Sequence, residues 1–161
     1  MEEEVHIGAL IKKKMNEDGR KAKWLADKIG CVPHNIYWIY QQQHIGTEQL
    51  ILICTHLEMD FFACYSEYVC QQAQLPEKLH HVNEKIHIGN LIQGKMNEDG
   101  RKNRWLARII GCDRSHIYRI YQHQHIDIKQ LILICIHLKM NFFDYYSTYV
   151  LKKIQEKRDS L

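Results

Sequence analysis

The chain has 161 residues, of which 45% are hydrophobic and 25% are charged, and its net charge at pH 7 is +3. These values are typical of a globular protein, and no apolar run approaches the roughly 18 residues that a membrane-spanning helix needs, so we expect no membrane span. The first residues, MEEEVHIGALIKKK, place acidic side chains where a secretory signal carries Lys or Arg, which predicts a cytoplasmic protein.

An internal repeat organises the chain. Shifting the sequence on itself by 81 residues aligns KMNEDGRK at 14–21 with the same letters at 95–102, and roughly two-thirds of the aligned positions match without a gap. Two repeats are too few for a solenoid, which needs three or more stacked units. We therefore expect two self-sufficient five-helix domains, over 1–70 and over 86–161 with a C-terminal helical extension. A linker over 71–85, which contains Pro76, joins them.

The first two helices of each repeat follow from apolar spacing. Apolar residues three and four apart predict a helix from about Ile7 to Glu17 in the first repeat, and an equivalent helix after His87 in the second. The letters KWLADKIG and RWLARIIG predict a second helix. It ends at Gly30 or Gly111, where a tight turn needs a positive φ.

A third helix is expected in the next residues, with two isoleucines three residues apart on its buried side. Asp113 is expected to cap this helix in the second repeat, whereas the first repeat places Pro33 at the first helical position. Both arrangements begin a helix at the same place in the repeat.

The last two helices of each repeat are more apolar. A fourth helix is expected over 48–57 or 129–138, and Asp60 or Asn141 is expected to cap a fifth. The tail LKKIQEKRDSL continues the last helix with charged residues and Ile154. The sequence leaves open whether this tail projects into solvent or packs across the first repeat.

Cysteine and histidine patterns indicate neither disulfides nor a built metal centre. Four of the six cysteines occupy equivalent positions inside apolar patterns, which favours buried free thiols: Cys31, Cys54, Cys112 and Cys135. The chain has no CxxC, and its histidines lack the paired spacing of a zinc site, with HQH at 123–125 and HH at 80–81 left open as adventitious metal sites. No motif for a nucleophile and its base, or for a phosphate-cradling loop, is present. We therefore expect no enzyme and no cofactor.

The two halves of the chain differ in charge. Residues 1–80 carry 8 basic and 11 acidic side chains, a balance of −3, whereas residues 81–161 carry 14 basic and 8 acidic side chains, a balance of +6. Phosphate contacts scale with the Lys and Arg side chains presented, so a polyanion is expected to bind mainly to the second half.

A small residue, a glycine turn and two isoleucines recur at the same spacing in both repeats. These positions are Ala26, Gly30, Ile36 and Ile39, and Ala107, Gly111, Ile117 and Ile120. In its five-helix context, almost the whole of each repeat resembles the lambda-repressor-like, or Xre-type, helix-turn-helix family of bacterial and phage DNA-binding proteins. The resemblance implies an all-α fold of two tandem five-helix domains. Two positions depart from the family, which often has Gln at the start of the second helix and Ser at the cap of the third: this chain has Ala22 or Asn103, and Val32 or Asp113.

The resemblance implies that the third helix of each repeat enters the major groove of DNA. The second reading face, which would contact base edges, comprises Arg114, Ser115, Tyr118, Arg119 and Gln122. The first reading face comprises Pro33, His34, Tyr37, Trp38 and Gln41. Phosphate contacts would come from basic residues around the start of the second helix: Arg101, Lys102 and Arg104, and Arg20, Lys21 and Lys23.

These residues predict a sequence-specific regulator of transcription that binds double-stranded DNA as a covalent pseudo-dimer, with most base contacts from the second domain. Trp38 stands where the second repeat has Arg119. The alternative is therefore a protein-interaction module that uses the aromatic face of the first domain, with DNA binding weakened or lost. Whether the chain acts as a monomeric pseudo-dimer or as a homodimer stays open.

Overall fold

The computed structural model describes residues 4–75 and 85–160. Their regular structure is all-α, with one isolated antiparallel bridge between Gly46 and Asp127. The first repeat contains α1 (Ile7–Glu17), α2 (Ala22–Ile29), α3 (Pro33–Gln41), α4 (Thr47–Leu57) and α5 (Phe62–Ala73). The second repeat contains α6 (Ile88–Glu98), α7 (Asn103–Ile110), α8 (Arg114–Gln122), α9 (Ile128–Leu138) and α10 (Phe143–Asp159). Pro76 of the expected linker and the pair His80–His81 lie outside the described residues.

The helix ends follow local signals in the sequence. Gly30 and Gly111 end α2 and α7 with φ of 77° and 71°, in the left-handed region that a residue without a Cβ enters freely. Asp113 caps α8 by accepting a hydrogen bond from the His116 N–H at 2.9 Å. Helix α3 begins at Pro33 without a side-chain cap. Both predicted starts of the third helix are therefore confirmed.

The boundaries of the two fifth helices differ from the predicted ones. Helix α5 continues to Ala73, so the first residues of the expected linker over 71–85 are helical. The residue that opens α10 is Phe142, one position beyond the expected cap Asn141, and the first repeat shows the same shift. Asn141 Oδ1 still accepts a hydrogen bond from the Phe143 N–H at 3.1 Å, so its side chain satisfies one of the free donors at this helix start.

The core of each repeat holds two short helices around the glycine turn. Helix α3 packs against α1 and α2, and α8 packs against α6 and α7. The paired isoleucines on the inner sides of α3 and α8 are buried: Ile36, Ile39, Ile117 and Ile120. This packing leaves the outer sides of α3 and α8 facing away from the core.

The fifth helices pack crosswise between the repeats. Helix α5 packs against α9 and α10 of the second repeat, and α10 packs against α4 and α5 of the first. The buried side chains of both repeats consequently form one continuous cluster. Each fifth helix covers the apolar side of the other repeat, as in a domain exchange. This packing differs from the expected arrangement of two self-sufficient five-helix domains.

The contacts between the repeats are reciprocal. The Phe62 ring stacks on Tyr146 with centroids 4.9 Å apart, and the equivalent pair, Tyr65 and Phe143, stacks at 5.1 Å. Such pairing of equivalent residues is the mark of a two-fold interface, in which the same patch is used by both partners.

The backbone bridge repeats this relation. Thr47 N–H donates to Ile126 O at 2.9 Å, and Ile128 N–H donates to Ile45 O at 3.2 Å. Residues 45 and 47 of the first repeat are equivalent to residues 126 and 128 of the second, so the two hydrogen bonds are equivalent to each other. A pseudo-two-fold axis therefore passes between Gly46 and Asp127.

The C-terminal tail continues α10 and packs against the first repeat. Ile154 is buried with 5% of its surface exposed, and Arg158 Nε lies 3.7 Å from a carboxylate oxygen of Glu58, at the end of α4. Of the two arrangements that the sequence left open, the structure shows the packed one.

All six cysteines are free thiols. Cys54 and Cys135 are fully buried, and burial raises the pKa of the Cys135 thiol to about 12. Cys31 and Cys112 are only partly buried, because they follow the glycine turn at the surface edge of the core. The prediction of buried thiols is therefore confirmed for two of the four paired cysteines.

Across residues 4–75 and 85–160, every helix is too short or too polar to cross a bilayer.

Candidate nucleic-acid interface

The second reading face lies on the outer side of α8. All of its members are exposed: Arg114, Ser115, Tyr118, Arg119 and Gln122. Because Ile117 and Ile120 anchor the opposite side of α8 in the core, these side chains project from one continuous surface. In the part of the chain that the structure describes, none of the ion pairs engages either arginine of this face. Both guanidinium groups are therefore available to an anionic or hydrogen-bonding ligand.

The start of α8 is fixed by a hydrogen-bonded cap. Asp113 Oδ1 accepts hydrogen bonds from the Ser115 hydroxyl at 2.6 Å and from the His116 N–H at 2.9 Å. The hydrogen bond from the Ser115 hydroxyl, followed in size by that from the His116 N–H, lowers the pKa of the Asp113 carboxyl. The cap is therefore charged at neutral pH. The cap engages the proton of the Ser115 hydroxyl, whose oxygen can still accept a hydrogen bond, so the prediction that Ser115 contacts a base stays a prediction.

A basic cleft joins the predicted base-contacting and phosphate-contacting residues. It has a volume of about 380 Å³ and is lined by Lys102, Asn103 and Arg104 from the start of α7 and by Arg114 and Tyr118 from α8. The sequence separates these groups by ten residues or more, and the tight turn between α7 and α8 brings them together. Three cationic side chains around one cleft have the chemistry to hold phosphate oxygens.

Two of the predicted phosphate-contacting arginines lie over tryptophan rings. The guanidinium carbon of Arg20 is 3.8 Å from the centroid of Trp24, and that of Arg101 is 4.4 Å from the centroid of Trp105. This contact was not among the predicted ones, although the shared spacing of Arg and Trp in both repeats indicates it. Stacking restrains each guanidinium plane while leaving its N–H groups at the surface.

The other predicted phosphate-contacting residues are also exposed at the starts of the second helices: Lys21, Lys23, Lys102 and Arg104. The first and second repeats therefore present basic groups at equivalent places. The reading faces, in contrast, differ in charge between the repeats.

The first reading face is exposed but contains no Lys, Arg, Asp or Glu. Tyr37 and Trp38 keep 58% and 53% of their surfaces accessible, and Val32, just before the helix, keeps 59%. The remaining members are also exposed: Pro33, His34 and Gln41. Tyr37 meets Tyr40 edge to face with ring centroids 6.1 Å apart, so its ring is braced against its own helix. This surface has Pro33 and Trp38 in place of the two arginines of the second reading face, while its amide Gln41 is matched there by Gln122.

A glycine in each first helix sets the position of the adjacent third helix. The Gly8 N–H donates to Gln42 O at 2.9 Å, and a Cβ on Gly8 would lie 2.4 Å from Ile39 O. Gly89 makes the same approach to the end of α8, where a Cβ would lie 2.2 Å from Tyr121 O. Both glycines occupy the same position in the repeat, and a matched glycine inside a helical pattern is the sequence signal for such a close approach.

A side-chain hydrogen bond ties α8 to the start of α7 in the second repeat alone. The Tyr121 hydroxyl donates to Asn103 Oδ1 at 2.8 Å. In the first repeat the equivalent positions are Tyr40 and Ala22, and alanine offers no acceptor. This bond fixes the charged reading helix to the residues that line the basic cleft.

The pseudo-two-fold relation makes the outer faces of α3 and α8 equivalent surfaces of one molecule. Both helices occupy the same place in their repeats, and the reciprocal contacts around Gly46 and Asp127 relate the repeats. Duplex DNA has two-fold symmetry along its length, so a two-fold protein presents matching elements to two half-sites.

Comparison with known proteins found no matching protein-family model, no matching curated protein and no matching solved structure.

Proposed function

We propose that the chain is a fused pair of lambda-repressor-like helix-turn-helix units with exchanged fifth helices, and that it regulates transcription in the cytoplasm by binding specific double-stranded DNA. One observation carries this proposal: Arg114 and Arg119 project from the outer side of α8 without ion-pair partners among the described residues, and Arg114 lines the same cleft as Lys102 and Arg104. The second unit supplies most base contacts, and the two units act as a covalent pseudo-dimer.

The chemistry of these groups suits a duplex. Arginine pairs in bidentate fashion with the O6 and N7 atoms of guanine, and glutamine pairs with adenine, so Arg114, Arg119 and Gln122 can discriminate among bases. Lysine and arginine around the start of α7 can hold phosphate oxygens and set the orientation of the helix. The exposed cations of the first repeat extend this backbone contact to a second half-site.

Duplex selection followed by titration tests the proposal. We expect the chain to enrich specific duplexes from a random pool, and Arg114→Ala with Arg119→Ala to weaken their binding by at least about 30-fold. That factor corresponds to a loss of about 1 kcal/mol or more for each bidentate contact. Lys13→Ala with Lys152→Ala removes the same charge from exposed positions outside the cleft and is the matched control. Equal affinity of the two double variants would remove α8 from the mechanism.

Salt dependence tests the phosphate contacts separately. Replacing both Lys102 and Arg104 with alanine is expected to reduce the slope of log affinity against log salt concentration by about 2, because each lost phosphate contact reduces it by about 0.9. Binding should weaken by a similar factor for all duplexes, since phosphates carry no sequence information. An unchanged slope would show that the cleft does not hold the backbone.

The exposed aromatic surface of α3 favours a second candidate, a protein-interaction module. Val32, Tyr37 and Trp38 are large apolar side chains that are more than half exposed, which is typical of contact residues at protein interfaces. Under this alternative, we expect no duplex to bind with an affinity that depends on salt concentration. We also expect a polypeptide partner to copurify with the intact chain but not with the Trp38→Ala variant. Counterion release accompanies every phosphate contact, so a flat salt dependence decides between the two candidates.

A further inference from the structure

The two reading faces share a scaffold but differ in chemistry. Helix α3 contains no Lys, Arg, Asp or Glu, whereas α8 exposes Arg114 and Arg119 at positions equivalent to Pro33 and Trp38. Charge-assisted bidentate pairing with guanine requires a cationic side chain. The first reading face therefore lacks the group that recognises guanine best.

The first repeat nevertheless keeps the parts that would seat its helix on a duplex. Arg20 stacks on Trp24 as Arg101 stacks on Trp105, and Gly8 allows the same close approach to α3 that Gly89 allows to α8. Basic groups for the backbone and the position of the third helix within the repeat are therefore alike in both repeats. The charged groups differ on the side that would face the bases, where Pro33 and Trp38 stand in place of Arg114 and Arg119.

Apolar and amide side chains have their own partners in the major groove. Thymine presents a C5 methyl group there, which makes apolar contacts, and adenine presents a donor and an acceptor that pair with Gln. Trp38 and Tyr37 offer exposed apolar surface, and Gln41 offers an amide at the end of the same face.

From these observations, and resting on the proposed function, we infer that the target is a composite of two unlike half-sites. Helix α8 reads a half-site that contains guanine through Arg114 and Arg119. Helix α3 reads an A·T half-site through thymine methyl groups at Trp38 and adenine at Gln41. The pseudo-two-fold axis relates the two half-sites in position but not in sequence, so the chain binds its target in one orientation.

Selection and methyl deletion test the inference together. The intact chain is used to select duplexes from a random pool, and the enriched sites are expected to hold guanine in one half and thymine and adenine in the other. Deoxyuridine then replaces thymidine in each half separately, which removes only the C5 methyl group. We expect about a fourfold loss of affinity for each contacted methyl in the A·T half, from the burial of one methyl group, and a smaller loss in the other half.

A reciprocal exchange of side chains provides the matched variants. Trp38→Arg should shift the selected A·T half toward guanine, and Arg119→Trp should remove the guanine requirement of the other half. Both positions are exposed, so the folded state is retained, and circular dichroism verifies this for each variant.

The outcomes separate the inference from the proposed function. Enrichment of no duplex would overturn both. Enriched sites with guanine in both halves, or an affinity unaffected by every deoxyuridine, would overturn the inference while leaving DNA binding in place. The inference would also be overturned if Trp38→Ala kept its affinity for DNA but lost a bound polypeptide. That result would assign the α3 surface to a protein partner.

Discussion

Asp60 is a partly buried carboxylate at the contact between the repeats, and its equivalent in the second repeat is the buried amide Asn141. Asp60 Oδ2 accepts a hydrogen bond from the Ser147 hydroxyl, while Oδ1 is buried without a partner among the described residues. Asn141 instead donates to the Ser66 hydroxyl at 2.6 Å. Burial raises the pKa of the Asp60 carboxyl, so the charged form is disfavoured at this position.

We predict that Asp60→Asn raises the Tm at neutral pH. The pKa of Asp60 is higher in the folded chain than in the unfolded chain, so its contribution to stability is present below the unfolded pKa and is lost as pH rises through the folded pKa. Asparagine does not titrate, and Asn141 shows that an amide fits the same contact. The gain in Tm, measured by calorimetry, should therefore be larger at pH 7 than at pH 3.5.

The reverse substitution is the control for this effect. Asn141→Asp introduces a second carboxyl at the equivalent, buried position and should lower the Tm at pH 7. A Tm of Asp60→Asn equal to or below that of the natural chain at pH 7 would contradict the proposed cost of the buried charge.

The starts of the two third helices suggest a second substitution. Val32 opens α3 without a side-chain hydrogen bond, whereas Asp113 opens α8 and accepts from the N–H three residues on. Val32→Asp is expected to accept from the Asn35 N–H and stabilise the chain by about 0.5–2 kcal/mol. Thermal unfolding should show a rise in Tm of about 2–4 °C for each kcal/mol. Val32→Asn tests whether the side-chain acceptor, rather than the charge, provides the gain, and an unchanged Tm in both variants would exclude capping.

At the scale of the helices, glycines in α6 have opposite expected effects. Gly89→Ala places a Cβ 2.2 Å from the Tyr121 carbonyl oxygen and should destabilise the chain by about 1–3 kcal/mol through overpacking against α8. Gly94→Ala lies on the same helix with no other atom near the added Cβ, and it should stabilise the chain by about 0.5–1 kcal/mol. Chemical denaturation measures both changes. Equal effects of the two substitutions would show that the close approach of α6 to α8 does not constrain the fold.

Helix positions were largely predictable because they depend on local signals. The bounds Ile7–Glu17 of α1, the glycine at the end of α2 and the Asp113 cap of α8 follow from apolar spacing and from side chains within one turn. The exposure of Arg114 and Arg119 also follows, because Ile117 and Ile120 determine which side of α8 is buried.

The exchange of α5 and α10 was not predictable from the pattern. Phe62 and Tyr65 are buried against the second repeat, and they would be buried equally if α5 covered its own repeat. The spacing of apolar residues therefore predicts which side of α5 is buried but not which repeat covers it. The stacking of Arg101 on Trp105 was missed for a related reason: a tryptophan that packs on the core with one side can hold a cation on the other. The Asp113 cap likewise engages the Ser115 hydroxyl, which residue type alone does not reveal.

At the scale of the whole molecule, the crosswise packing predicts that the repeats depend on each other. A fragment of residues 85–160 would expose the apolar sides of α9 and α10 that α5 and α4 cover in the intact chain. We expect this fragment to self-associate or to lose cooperative unfolding, and to form a 1:1 complex when mixed with a fragment of residues 1–75. Light scattering after size exclusion measures the stoichiometry. A monomeric 85–160 fragment that unfolds cooperatively at the Tm of the intact chain would contradict this dependence.

The complex of fragment 1–75 with fragment 85–160 should be more stable than a homodimer of fragment 85–160. Self-pairing of the second repeat would bring two copies of Asp127 together on the axis, where the intact chain pairs Asp127 with Gly46. Like charges at this short distance repel, so the mixed complex is expected to form at the expense of the homodimer.

Under the proposed function, the covalent connection between the exchanged helices sets how the occupancy of a DNA target depends on protein concentration. A regulator assembled from separate subunits loses its paired form on dilution, and its occupancy then varies with more than the first power of protein concentration. In this chain the partner of each fifth helix is held in the same polypeptide, so dilution leaves the pair assembled. Occupancy of a single target is expected to follow a simple hyperbola down to the lowest expression levels, without a threshold.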